Sequence, residues 1–199
     1  MFYDNQPENQ QNAYKRMLEI LGMLSRLYSS SDTPFLVSRS QENCFCKYFE
    51  ADNLGRQDSS ADAKKDGIGI GLKTWMGNND QKVAEFDALR NRFADLTGIE
   101  LVRTIAEYRN ERIRVTKNLN DLDYMIYHVV KRVPGAMEIF ESSFDYIDTD
   151  NIRLIRNRGN HNNTYFTDGR HTYHFSKSKN TLYMIFDDME LLDTVAVEI

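Results

Sequence analysis

The stretch Ser59-Ser60-Ala61-Asp62-Ala63-Lys64-Lys65-Asp66-Gly67-Ile68-Gly69-Ile70-Gly71-Leu72-Lys73-Thr74-Trp75 decides how the chain is read. It predicts a short strand ending near Asp62, a turn at Lys65-Asp66-Gly67, and a second strand whose Ile68, Ile70 and Leu72 share one face. Together they make a hairpin. Glycines and Lys73 take the opposite face of the second strand, leaving a backbone that something can approach closely. An acid on one strand and a lysine at the end of its partner suit a site where a metal ion and an activated water meet a phosphate.

Asp62 followed by Gly71-Leu72-Lys73 resembles the catalytic hairpin of the PD-(D/E)xK nucleases, the superfamily of many type II restriction endonucleases. In that family an acid of the first strand and an acid-x-lysine triplet of the second bind magnesium and activate water for phosphodiester hydrolysis. Ala61 stands where the family often has proline, and Gly71 where it has the second acid. The resemblance implies a Mg2+-dependent endonuclease of a restriction-modification system, cutting double-stranded DNA without a small-molecule cofactor. Asp62 would ligate the metal, Glu42 on the preceding helix would replace the absent acid, and the Leu72 carbonyl could complete the coordination. Lys73 would orient the water and stabilise charge on the phosphate. Cutting both strands at one site implies a homodimer.

Working outward, residues 8–29 read as a helix, with Tyr14, Met17, Leu18, Leu21, Leu24 and Tyr28 at three- and four-residue spacing. A second helix is predicted over 39–50. On it Glu42, Cys46 and Phe49 fall along one stripe, which points Glu42 inward; Glu50 falls at the frayed end. After the hairpin, Asn78-Asn79-Asp80 caps an expected helix over about 81–96, and Gly98 separates it from another over about 100–118. From Tyr124 onward strands are expected at 124–132, 136–140, 152–156, 164–166, 171–175, 182–186 and 194–199, with Asp168-Gly169 as a hairpin turn. This describes one α+β domain over residues 1–199 with a mixed central sheet. The alternative is two lobes meeting near residue 120, helical with the hairpin before it and strand-rich after it.

The chain has 199 residues, 41% of them apolar, and a net charge of −5, which suits a globular domain and excludes a wholesale polycation. The basic residues are clustered. Arg103, Arg109, Arg112, Arg114 and Lys117 face only Glu107 and Glu111 within 101–118, a local +3. Within 151–180, Arg153, Arg156, Arg158, Arg170, Lys177 and Lys179 face only Asp168, a local +5. Such asymmetry fits a basic working face on an acidic body. The expected DNA contacts are Arg109, Arg112 and Arg114 from the helix, and Arg158, Asn162, Arg170, His174, Ser176, Lys177 and Lys179 from the late segment. A solvated helix face and a polar hairpin end are the plainer readings of the two clusters.

Other chemistry is poorly served. Cys44 and Cys46 are too close for a disulfide or a shared zinc site and read as small buried thiols. His171 and His174 fall on opposite sides of a strand, and His128 packs among Tyr127 and Val129. There is no phosphate loop of Walker or dinucleotide type, no serine elbow, no apolar run long enough for a bilayer and no signal pattern, so the chain reads as cytoplasmic. Two other classes stand beside the nuclease. One is a catalytically inactive DNA-binding module of a restriction or defence system; the other is a protein-interaction or sensor domain, which accounts for the acidic net charge without nucleic acid.

Overall fold

A computed structural model describes residues 1–55, 59–160 and 162–199, the side chains of 156–160 excepted. The protein is α+β, with two sheets. It divides into two compact units, each assembled from separate segments. The first comprises Met1–Gly77, Thr116–Asp145 and Met189–Ile199, the second Asn78–Val115 and Tyr146–Asp188. Among the described residues, no helix is long and apolar enough to cross a membrane.

The first unit begins with α1 (Glu8–Met23) and α2 (Ser38–Tyr48). Tyr14, Leu18 and Gly22 of α1 are buried at four-residue spacing. Gly22 is required by contact: a β-carbon there would lie 2.6 Å from Val197. In α2 the buried positions are Gln41 and Phe45, continued by Phe49. The inward stripe is therefore one residue off the expected Glu42–Cys46–Phe49 line, and Glu42 and Cys46 lie on its half-buried flank.

The unit's sheet has six strands: β1 (Asp52–Asn53), β2 (Ala63–Lys65), β3 (Ile68–Trp75), β5 (Tyr124–Val133), β6 (Ala136–Ser143) and β11 (Glu190–Ala196), in that spatial order. β3 and β5 run parallel and every other neighbouring pair antiparallel, so the sheet is mixed as expected. Asp66 (φ 50°) and Gly67 (φ 75°) form the two-residue turn between β2 and β3. Positive φ at both positions matches the right-handed twist of a hairpin. Ile70 and Leu72 join Phe2, Tyr3, Tyr14, Leu18, Phe45 and Phe49 in the core.

The glycine face of β3 is filled from within. A β-carbon on Gly69 would meet Leu122 at 2.7 Å, and one on Gly71 would meet Phe144 and Tyr127 at 2.9 Å. The Tyr127 and Phe144 rings are stacked at 4.1 Å. These glycines admit the protein's own side chains, not the outside approach that their pattern suggested.

The second unit holds an antiparallel sheet ordered β4 (Asp80–Glu85), β10 (Thr181–Ile185), β9 (Thr172–Ser176), β8 (Asn163–Thr167) and β7 (Arg153–Asn160). The expected helix over 81–96 is replaced by β4 followed by a short turn of helix, α3 (Arg90–Phe93). Val83, Phe86, Leu89 and Phe93 have helical spacing, but β4 pairs with β10 over Glu85–Asp80, and this distant ladder overrides the local pattern. Phe93, Phe166, Phe175, Leu182 and Phe186 are buried, with Phe93 edge-on to Phe175 at 5.5 Å. The long helix α4 (Gly98–Asn120) lies in this unit as far as Val115 and buries Leu101, Val102, Ile105, Ala106 and Ile113.

Candidate functional site

Gln41 is fully buried, and its Nε2 donates to the Lys73 carbonyl oxygen at 2.9 Å, tying α2 to the end of β3. The next residue, Glu42, stands on the flank of α2. Asp62 enters β2 in a fixed backbone, its N–H donating to Ile70 O (2.9 Å) and its own oxygen accepting from Leu54 N–H (2.8 Å). The Asp62 Oδ2 atom accepts from Leu72 N–H at 2.7 Å. Leu72 thus meets the acid through its backbone N–H.

Burial raises the Asp62 carboxyl above the usual carboxylate range; the Leu72 N–H and the charge of Lys73 oppose that shift, and the charge of Glu42 adds to it. Cys46 senses the same field. Burial first, and then Glu42, Asp62 and Asp52, push its thiol up to about 11, against a hydrogen bond from Asn53. Three sequence-predicted residues, Glu42, Asp62 and Lys73, therefore come from separate elements into one electrostatic neighbourhood. Arg39 joins them, its Nη1 donating to Glu42 Oε2 at 2.7 Å, with half of the arginine side chain exposed. Arg39, Gln41 and Asp52 were not singled out from sequence, and Cys46 was read only as a small buried thiol on the stripe of Glu42. Gln41 was legible as a polar residue in register with the aromatic pair Phe45 and Phe49; Arg39 and Asp52 carried no signal.

Gly71 cannot be the place of a lost carboxylate that substitution restores, because its missing side chain is replaced by the Tyr127–Phe144 pair. Glu50 is exposed with φ 53°. Among the described residues no group of three or more His, Cys, Asp or Glu side chains is arranged to hold a metal ion. Two carboxylates remain. Magnesium commonly takes one or two protein carboxylates and completes its shell with water and phosphate oxygens, so the oxygen donors of Glu42 and Asp62 suit it. The burial that raises the Asp62 carboxyl is the cost that a cation would relieve.

The expected DNA contacts in the second unit are spent largely on the protein itself. Arg109 is buried, not displayed on an outer stripe of α4. Arg112 is exposed, but its Nη1 donates to Glu85 O at 2.7 Å and its guanidinium lies over the Phe86 ring. Arg114 pairs with Glu111. His174, expected on a surface strand, is buried between Tyr165 and Tyr183, with ring centroids 4.7 and 4.5 Å away, and its Nε2 meets Asp80 Oδ2 at 2.8 Å. His171 is also buried, its Nδ1 3.2 Å from Asp188. Ser176 is buried beside Ser178. Lys177 Nζ donates to Leu96 O at 3.0 Å, and Arg170 Nη2 to Tyr146 O at 3.0 Å. Asn162 is exposed, its backbone oxygen accepting from Lys177 N–H. Lys179 is exposed. The Arg158 side chain lies outside the described residues.

Comparison with family models, with curated proteins and with solved structures gives no match. The chemistry of the site rests on its own residues: two carboxylates that influence each other electrostatically, a donor set that suits a hard cation, and a lysine whose charge acts on Asp62.

Proposed function

We propose that this chain is a magnesium-dependent endonuclease of double-stranded DNA, resembling the type II restriction enzymes, that hydrolyses a phosphodiester by attack of water. The observation that carries this reading is the shared field of Glu42, Asp62 and Lys73, brought together from α2, the entry to β2, and β3. Glu42 and Asp62 would hold magnesium, which supplies a polarised phosphate and a more acidic water when bound. Lys73, joined electrostatically to Asp62, offers its ammonium to the phosphate oxygens as negative charge grows on them. Gln41 holds the Lys73 backbone in place. Arg39 neutralises Glu42 until a cation takes over that task. Cutting two strands needs two such sites, which two identical chains supply.

A second reading, a DNA-binding module without activity, is favoured by one feature: the ring-packed Gly71, where the resemblance expects an acid. Incubation of supercoiled plasmid with the purified protein and Mg2+ or Mn2+ separates the two. The nuclease reading predicts nicked and linear products, lost in Glu42→Gln, Asp62→Asn and Lys73→Ala. Retarded but intact DNA favours the binding module. Neither cleavage nor retardation removes both.

A further inference from the structure

Gly55 follows β1, and its N–H donates to Asn53 Oδ1 at 2.9 Å. Its φ is not positive, so the backbone alone does not call for glycine there. The space around it does. The position of a β-carbon on Gly55 lies 3.0 Å from Arg39 Nη1, 3.1 Å from Glu42 Oε2 and 3.2 Å from Asn53 Oδ1. At Gly22, Gly69 and Gly71, which also lack a positive φ, the same position meets carbon atoms of apolar or aromatic side chains. Gly55 thus keeps a place beside the Glu42 carboxylate in which the Arg39 guanidinium rests. Arg39 and Glu42 lie three residues apart on α2 and pair at 2.7 Å, with the arginine side chain 51% exposed and the glutamate 16%. One member of the pair is held and the other can leave. Among the described residues Arg39 meets no second acid.

We infer that Arg39 links substrate to metal at this site: a DNA phosphate draws the guanidinium off Glu42, and the carboxylate is then free for the divalent cation. This coupling presupposes the nuclease reading and deepens it. A guanidinium and a dication repel each other, so both cannot stay on Glu42 Oε2. Arg39 gives one N–H group to that oxygen, and its planar fork suits two oxygens of a phosphate, a fit that a single carboxylate oxygen does not use. An exposed pair three residues apart on a helix is weak. Its exchange for a phosphate on the arginine and a cation on the glutamate leaves each charge with a stronger partner. Without substrate, Arg39 raises the concentration of cation that the site needs. With substrate bound, duplex and cation strengthen each other's binding, since coupling between two ligands is reciprocal.

Titration of the full chain with Mn2+, the free ion read from its electron paramagnetic resonance signal, tests it. In the absence of DNA, Arg39→Gln should bind Mn2+ about threefold to tenfold more tightly than the wild type, at an unchanged thermal transition. Lys47→Gln, which removes an exposed charge from the same helix, should change the affinity less than about twofold. In a Lys73→Ala background, expected to leave DNA uncut, a saturating duplex should tighten Mn2+ binding at least about tenfold, and Arg39→Gln should remove most of that gain. Arg39→Lys keeps the charge without the fork: it should bind Mn2+ like the wild type without DNA and gain less from the duplex. Tightening in Arg39→Gln no greater than in Lys47→Gln, with binding still lost in Glu42→Gln, overturns the inference and leaves the nuclease reading standing. A duplex gain that survives Arg39→Gln overturns it equally. Mn2+ binding by none of these proteins overturns both.

Discussion

Asp62 stands apart from the buried polar groups that both units match. In the second unit His174 meets Asp80; in the first, His128 lies 3.2 Å from Glu141, which also accepts from Tyr3 N–H, and Gln41 donates to the Lys73 carbonyl oxygen. Asp62 lies in the field of a second carboxylate, is pushed up by burial and is only partly offset by Lys73. Matched groups hold a fold together, whereas a mismatch kept in a half-open place is a candidate for a binding site. Of the residues expected to touch DNA, Arg109, His174 and Ser176 are buried and Arg112, Arg114, Arg170 and Lys177 contact the protein itself, while Glu42 and Lys73 both act on the charge of Asp62.

The largest effect should follow from trying to restore the acid that the resemblance expects. Gly71→Asp sets a carboxylate against Tyr127 and Phe144, and should cost more than about 3 kcal/mol or prevent folding, as measured by urea denaturation. Folding at wild-type stability would mean that the glycine face of β3 is open after all.

Next, Asp80→Ala removes the partner of a buried histidine and should cost about 2 kcal/mol, lowering the thermal transition by several degrees. Asp62→Asn should act with the opposite sign, raising stability at pH 7. A carboxyl raised in the folded state contributes its stability below the unfolded value and loses it as pH rises through the folded one. The advantage of asparagine should therefore be present at pH 7 and shrink towards pH 3. If both variants destabilise alike at pH 7, the contrast between Asp62 and the matched groups fails.

Smaller effects separate two neighbouring lysines. Lys177→Ala should lose about 1 kcal/mol of stability and change DNA affinity little, since its ammonium is held by Leu96 O. Lys179→Ala should leave stability within about 0.5 kcal/mol and, if the exposed lysine meets phosphate, lower the slope of log affinity against log salt by about one. Filter binding at several salt concentrations, beside thermal melts, distinguishes them.

Local signals made much of this legible. The Asp66-Gly67 turn, the period of α1, the strands after Tyr124 and the Asp168-Gly169 turn all follow from short-range chemistry, and the structure has each element within a few residues of its expected place. What failed depended on distant partners. β4 became a strand because β10 lies beside it, and the glycines of β3 answer to Leu122, Tyr127 and Phe144. Arg109 and His174 looked like surface cations because sequence does not show which face of an element is covered. Glu42 could be placed near the hairpin through its helix, but the tie that fixes it there, Gln41 to the Lys73 carbonyl, crosses 32 residues of sequence.

The central claim is that Glu42 and Asp62 share a divalent cation, and Cys46 reports on them without any substrate. Its thiol stands at about 11 partly because both carboxylates repel the thiolate. Magnesium is a hard ion that leaves sulfur alone, so by neutralising the carboxylates it should lower that value and speed alkylation. In a Cys44→Ser background at pH 9, millimolar Mg2+ should accelerate iodoacetamide labelling of Cys46 about threefold to tenfold, and Glu42→Gln with Asp62→Asn should abolish the acceleration. A labelling rate indifferent to Mg2+ in the otherwise wild-type site would contradict the claim.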